Sequence, residues 1–149
     1  MEPLLEAIYT QCKNTAGIVA AFPAFVDSST GGTVTYPVGV YADEAPERAT
    51  LPYMVTSIIA APATTRYGGI QRTEPQIQFA AYGVGRAAVY AKMLAFINVF
   101  DELTLTLSSG KMVNTTRLGS PVPALDPSKD ETGQNVWQWT VVYQFVLNQ

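Results

Sequence analysis

The chain is 149 residues long, 48% hydrophobic and only 14% charged, with a formal net charge of −3, one cysteine and no histidine. That length suits one domain over 1–149 with a buried core, and the lone Cys12 excludes an internal disulfide framework. The missing histidine removes histidine-based triads and metal sites, and Lys and Arg occur without clustering, which excludes binding the outside of nucleic acid by phosphate neutralisation.

So little charge leaves a surface suited to meeting other protein. Met1-Glu2-Pro3 starts with an acid where a signal peptide carries a basic region, and Pro23 interrupts the short apolar run before it, so no signal peptide is expected. No apolar stretch is long enough to span a bilayer, and Glu2 excludes N-myristoylation.

Pro3 to Asn14 reads as a first helix, with Leu4, Leu5, Ile8, Tyr9 and Cys12 on one stripe and Gly17 as its stop. Glu2 and Glu6 lie near its positive end and Lys13 near its negative end. On the apolar stripe, Cys12 reads as an inert buried thiol. The segment at about 20–37 holds Phe22-Pro23-Ala24-Phe25 and the turn-rich Asp27 to Gly32, and reads as a loop or β-arm. Val38 to Tyr41 suggests a short strand. A polar stretch through Pro46 leads to Leu51-Pro52, where proline is tolerated at the start of a strand over Tyr53 to Ala60. Pro62 to Thr73, with Arg66, Tyr67, Gly68-Gly69 and Arg72, reads as an exposed hairpin loop. Gln76 to Tyr82 alternates as a strand.

Gly83-Val84-Gly85 opens the most apolar helix, Arg86 to Phe100, whose polar residues are Arg86, Lys92 and Asn98. A helix apolar around most of its circumference is covered on more than one side, by the sheet and by another element or another chain. Leu103 to Leu107 and Lys111 to Leu118 read as a hairpin about Ser108-Ser109-Gly110, and Ser120 to Gln134 as a long loop rich in Pro and Asp. The last stretch sets Trp137, Trp139, Val141, Tyr143, Phe145 and Leu147 on one face and Gln138, Thr140 and Gln144 on the other. That period of two predicts a long strand, and each such side chain contributes roughly 1.5–3 kcal/mol when buried. The order of elements predicts an α+β domain: a single mixed, mostly antiparallel sheet with two helices packed on one face.

Three motifs invite a chemical reading. Gly83-Val84-Gly85-Arg86-Ala87-Ala88 has G-x-G-x-x-A spacing between a strand and a helix, as a dinucleotide fingerprint does. Its acid partner is missing, because Asp101 and Glu102 precede the next strand, so a tight strand-to-helix turn is the better account. Asp126 to Gly133 begins like a calcium loop, but Glu131 stands where the sharp-turn glycine belongs and no closing bidentate Glu follows. Carboxylate pairs remain, yet Asp43, Glu44 and Glu47 lie in a loop and Asp101-Glu102 closes a helix. Neither cofactor nor metal is expected, and no enzyme.

The chain resembles the bacteriophage tail terminator and tail-completion (tail-to-head joining) proteins. The likeness rests on order: the leading helix, Val40-Tyr41, Ala45-Pro46, Leu51-Pro52-Tyr53-Met54-Val55, Ile77 to Tyr82 running into the alanine-rich helix that ends Phe100-Asp101-Glu102-Leu103, a Leu-rich hairpin, a polar loop and the final aromatic strand. It covers most of the chain from Tyr41 onward, and the 20–37 segment is longer than the family pattern. The resemblance implies a virion structural protein of the tail or neck, made in the bacterial host cytoplasm. It would form a ring, commonly hexameric, that caps the tail tube protein, stops its polymerisation and meets a head-side connector protein, with DNA passing through the lumen without specific binding. No membrane partner is implied. The nearest alternative is a head–tail connector or stopper protein of the neck; the remote one is a small nucleotide-binding enzyme. A head-to-tail ring needs two different patches. One is expected to hold Phe22, Phe25, Arg66, Tyr67 and Arg72; the other, near the second helix or the loop after Ser120, would hold Arg86, Lys92, Asp126 and Asp130.

Overall fold

A computed structural model describes residues 2–28, 31–60, 65–101 and 103–148. In chain order it contains α1 (Glu2–Asn14), α2 (Ala16–Ala21), β1 (Phe25–Asp27), β2 (Val34–Tyr36), β3 (Val40–Ala42), β4 (Tyr53–Ala60), β5 (Thr65–Tyr67), β6 (Ile70–Thr73), β7 (Gln76–Val84), α3 (Arg86–Phe100), β8 (Lys111–Arg117), β9 (Val122–Lys129) and β10 (Asn135–Asn148). The fold is α+β. Strands β1 and β2 pair by themselves, and the other eight form one sheet in which only β3 and β4 run parallel.

The sheet is built on β10. On one edge it pairs with β7 from Val136↔Val84 to Gln144↔Gln76, then with β6 at Leu147↔Thr73. On the other it pairs with β9 from Asn135↔Lys129 to Thr140↔Val122, then with β8 from Tyr143↔Arg117 to Asn148↔Lys111. The period of two becomes burial: Trp139, Val141, Tyr143, Phe145 and Leu147 all enter the core, with Trp137 packed at its margin. Helix α3 lies on β7 and β10, α2 lies on α3, and α1 meets α2 and β3. Where α3 crosses the sheet, Phe96 and Phe100 stack with ring centres 4.2 Å apart. Phe79 approaches Phe96 at 4.7 Å and meets Tyr143 edge-on at 5.7 Å. Offset and edge-on aromatic pairs of this kind add to what burial alone contributes.

Three helices stand where the sequence suggested two. The stop expected at Gly17 falls at Thr15, whose extended backbone breaks the helix while its hydroxyl donates to the Gln11 carbonyl at 2.7 Å; Gly17 then lies inside α2. Residues 103–107 form no strand. Leu105 is drawn into the core instead, the Thr115 hydroxyl donates to the Leu103 carbonyl at 2.8 Å, and β8 pairs with β10. The supposed loop at 120–134 contains β9 despite Pro123 and Pro127. Proline is tolerated on an edge strand or at a bulge, and Pro127 lies where the pairing slips between Leu125 and Lys129.

The glycine turn before α3 has a packing explanation. Gly85 caps the helix at φ 86°, a left-handed value that glycine adopts without strain. At Gly83 an added Cβ would lie 2.9 Å from Cγ2 of Val89 and 3.2 Å from Cβ of Pro52. Backbone, first turn of α3 and start of β4 therefore touch without a side chain between them. Gly83→Ala should destabilise the fold by about 1–3 kcal/mol in urea unfolding, and shortening the opposing side chain with Val89→Ala should make the two changes less than additive.

Candidate functional site

The described residues offer surfaces and clefts in place of a catalytic constellation, and no group of three or more acids or cysteines among them could hold a metal ion. Cys12 is fully buried, and burial pushes its thiol up to about 12, so it is a poor nucleophile. One polar cluster joins α3, β8 and β10. Asp101 accepts a hydrogen bond from the Tyr143 hydroxyl at 2.7 Å and from Nε of Arg117 at 3.1 Å, and Arg117 also donates to the Gly119 carbonyl at 3.1 Å. A carboxylate at a helix C-terminus is opposed by the helix dipole, and these two donors offset that cost. Burial, then the bond to Asp101, raises the Tyr143 pKa. A phenol so held is a donor and not a base, which makes the cluster a clamp between elements.

At the opposite end of α3, Arg86 lies over the rings of Trp137 and Trp139 at 5.6 and 5.9 Å. Its carbonyl accepts from the Trp139 indole at 2.9 Å, and Tyr90 covers Trp139 with ring centres 4.6 Å apart. Arg86 thus contributes to its own domain as well as to the surface. The outward stripe of α3 carries Ala87, Tyr90, Ala91 and Leu94, all exposed. On the edge strand β9, Val122 and Leu125 are 63% and 54% exposed.

The residues singled out from the sequence do not converge on one spot. Phe22 is a correction: its side chain is fully buried and its carbonyl accepts from Gly39 at 2.9 Å, so it holds α2 against β3 and presents no ring to a partner. Phe25 sits on β1, half-buried and stacked on Tyr36 at 6.4 Å. Arg66 is exposed on β5; of Tyr67 on the same strand only the backbone is described. Arg72 on β6 pairs with Glu74 at 2.8 Å, and Glu74 also accepts from Gln144 at 2.9 Å. Lys92 is half-buried on α3. Asp126 caps its own turn by accepting from the Ser128 N–H and hydroxyl, and Asp130 accepts from the N–H groups of Thr132 and Gln134. The hairpin arginines, the α3 cations, and Asp126 on β9 with Asp130 just after it are therefore carried by different elements. Sequence reasoning missed Ile70, 53% exposed beside the Gly68–Gly69 tip, and the apolar residues of β9.

It also missed a cleft of about 460 Å³ between α1, the free side of β3, the β1–β2 arm and the loop after β3. Leu5, Ile8, Val40 and Pro46 give it apolar walls, and Asp27 and Glu44 add two acids. Tyr41, only 5% exposed, also lines it, and its enclosed hydroxyl meets no hydrogen-bond partner among the described residues. Burial, reinforced by neighbouring tyrosines led by Tyr36, pushes that phenol up to about 12.

No family model and no curated protein matches the sequence. Among solved structures, a chain from the virion of a native gene transfer agent (GTA) particle is similar with a TM-score of 0.68 and 16% identity, over 99% of this chain and 96% of that one. The two share a fold from end to end.

The Tyr143 clamp carries a pH signature. Its folded pKa lies above the ordinary tyrosine value of about 10, so the folded state holds this proton more tightly than the unfolded chain. The stabilisation is complete below about pH 10 and is lost as pH rises beyond it. Tyr143→Phe should cost about 1 kcal/mol near neutrality and should flatten the alkaline fall of stability measured by urea titration between pH 9 and 11.

Proposed function

We propose that the chain is a structural subunit of a phage-like virion, and within it a ring-forming tail terminator that caps the tail tube, stops its growth and meets the head-side connector. The observation that carries the reading is the end-to-end likeness to a virion chain, 99% of one against 96% of the other. A shared core with a different surround would match only in part; here the likeness runs over nearly the whole of both chains. Surface chemistry supports the same reading. Tyr90 and Leu94 on α3, and Val122 and Leu125 on β9, leave wet apolar area that assembly would cover. A specific subunit contact removes on the order of 800 Å² per partner, which patches of this size can seed. The mild negative charge suits a lumen through which DNA slides without sticking, since phosphate contacts bind any sequence.

Deleting the gene from the particle-producing strain tests the role. A terminator predicts tail tubes of uncontrolled length and heads without tails in electron micrographs. Tails of normal length that fail to join heads would move the protein to the connector or stopper position in the neck, and normal infectious particles would end the proposal. Leu94→Asp, on an exposed helical site, should leave the monomer's melting temperature within a few degrees while reducing incorporation into particles at least tenfold.

A further inference from the structure

Resting on the ring reading, we infer that the apolar patch around Arg86 is the docking face for the acidic loop after β3, residues 43–47, of the next copy of the chain. The patch is continuous from edge strand to helix. Leu125, 54% exposed on β9, is the cross-strand partner of Trp137. Arg86 lies over Trp137 and Trp139, and Tyr90 covers Trp139. Leu94 stands one turn further along α3, and Tyr90 and Leu94 are each 36% exposed. Ala87 and Ala91 beside them are exposed and carry little bulk, so a partner can lie close to the helix.

Arg86 sets the chemistry of the occupant. Its guanidinium is exposed and stacked on the indoles through its flat face, and it pairs with no carboxylate among the described residues. Stacking leaves the N–H groups in the guanidinium plane free to meet a carboxylate. The occupant therefore needs an acid with apolar neighbours. Asp43-Glu44-Ala45-Pro46-Glu47 offers three acids around an Ala-Pro pair. All three are exposed, and none of their side chains has an ion pair or hydrogen bond among the described residues. The loop is held in shape by its backbone: Asp43 donates its N–H to the Thr56 carbonyl at 2.8 Å, and Ala49 donates to the Pro46 carbonyl at 2.9 Å. A loop already ordered loses little freedom on docking. Other acids fit less well: Glu74 and Asp101 already pair with arginines, and Asp126 and Asp130 accept within their own turns.

Patch and loop belong to opposite edges of the sheet. One row of paired residues runs Val40, Met54, Ala81, Trp139, Pro123, from β3 across β4, β7 and β10 to β9. At ~4.8 Å per strand the two edges are about 19 Å apart. The loop leaves β3 on one side, and the patch begins at β9 on the other. Complementary surfaces on opposite edges join subunits head to tail, as a ring requires.

The test combines charge exchange with cross-linking, read on purified protein and on protein added to tail tubes. Arg86→Glu, and Glu44→Lys together with Glu47→Lys, should each weaken self-association about tenfold or more by sedimentation while moving the melting temperature by only a few degrees. Combining them should recover most of the loss, because the contact regains opposite charges. Ala45→Cys with Leu94→Cys leaves Arg86 untouched and should give a ladder of disulfide-linked multimers on oxidation. Neither single variant should give one, Cys12 being buried. Self-association unchanged in Arg86→Glu, with no ladder, would overturn the docking face and leave the ring reading standing. A loss in Arg86→Glu that the reversed loop does not restore, again with no ladder, would give the patch to the tube or connector and overturn the loop as its occupant. No self-association of the unaltered protein under either condition would remove the ring reading, and the docking with it.

Discussion

The constraint on which the rest depends is that β10 is paired along both edges and buried on one face over fourteen residues. A strand so placed leaves its neighbours little choice. The aromatic face must be roofed, and α3 does this with Phe96 and Phe100 set against Phe79 and Tyr143. The roof must then be held at both ends. Asp101 fastens one end through Tyr143 and Arg117, and the Arg86 carbonyl fastens the other through the Trp139 indole. With the centre committed in this way, the outward stripe of α3, the outer strands, the arm and the hairpin remain free to meet anything else. Interaction is therefore left to the back of the roof and the rim of the sheet by the way the middle is built.

Elements whose burial is periodic were legible in the sequence, and elements whose form depends on partners were not. The extents of β4 and α3 follow the residue pattern to the residue, and β10 follows its alternation of apolar and polar side chains. Strand β9 escaped because its prolines read as loop residues, and only an edge position with a slipped register reconciles them with pairing. Residues 103–107 were misjudged the other way: their alternating leucines mimic a strand, while Leu105 serves as a plug for the core. Phe22 looked like an exposed aromatic because it sits next to Pro23 among turn residues. Its burial is decided by the packing of α2 on α3, which no local pattern encodes.

The same division holds at the candidate surfaces. Arg66 could be found from its position beside two glycines, since a charged residue at a hairpin tip stays wet. Tyr41 could not. Read in sequence it is one tyrosine in a short strand. Its unpartnered hydroxyl arises only when α1, the arm and β3 are brought together. The G-x-G-x-x-A spacing shows the converse error that motif reading invites. Its first glycine is explained by the approach of Val89 and Pro52, and its second by a left-handed helix cap, so the spacing follows from packing alone.

The arm is tied to this sheet by a run of rings that crosses from the two-stranded sheet to the eight-stranded one. Phe25 stacks on Tyr36 at 6.4 Å, Tyr36 meets Tyr41 edge-on at 5.2 Å, Tyr41 meets Tyr53 at 6.0 Å, and Tyr53 lies 5.3 Å from Tyr82. Tyr53 and Tyr82 are cross-strand partners, so the last contact is set by the register of β4 on β7. Each earlier contact inherits its position from the one after it. The two-stranded arm alone would be marginal in water, and this aromatic run gives it a fixed place above β3. The wall that Tyr36 and Asp27 contribute to the cleft is thus placed by strand register in the main sheet, and a one-residue slip of β4 against β7, which would turn Met54 and Thr56 out of the core, would displace that wall as well.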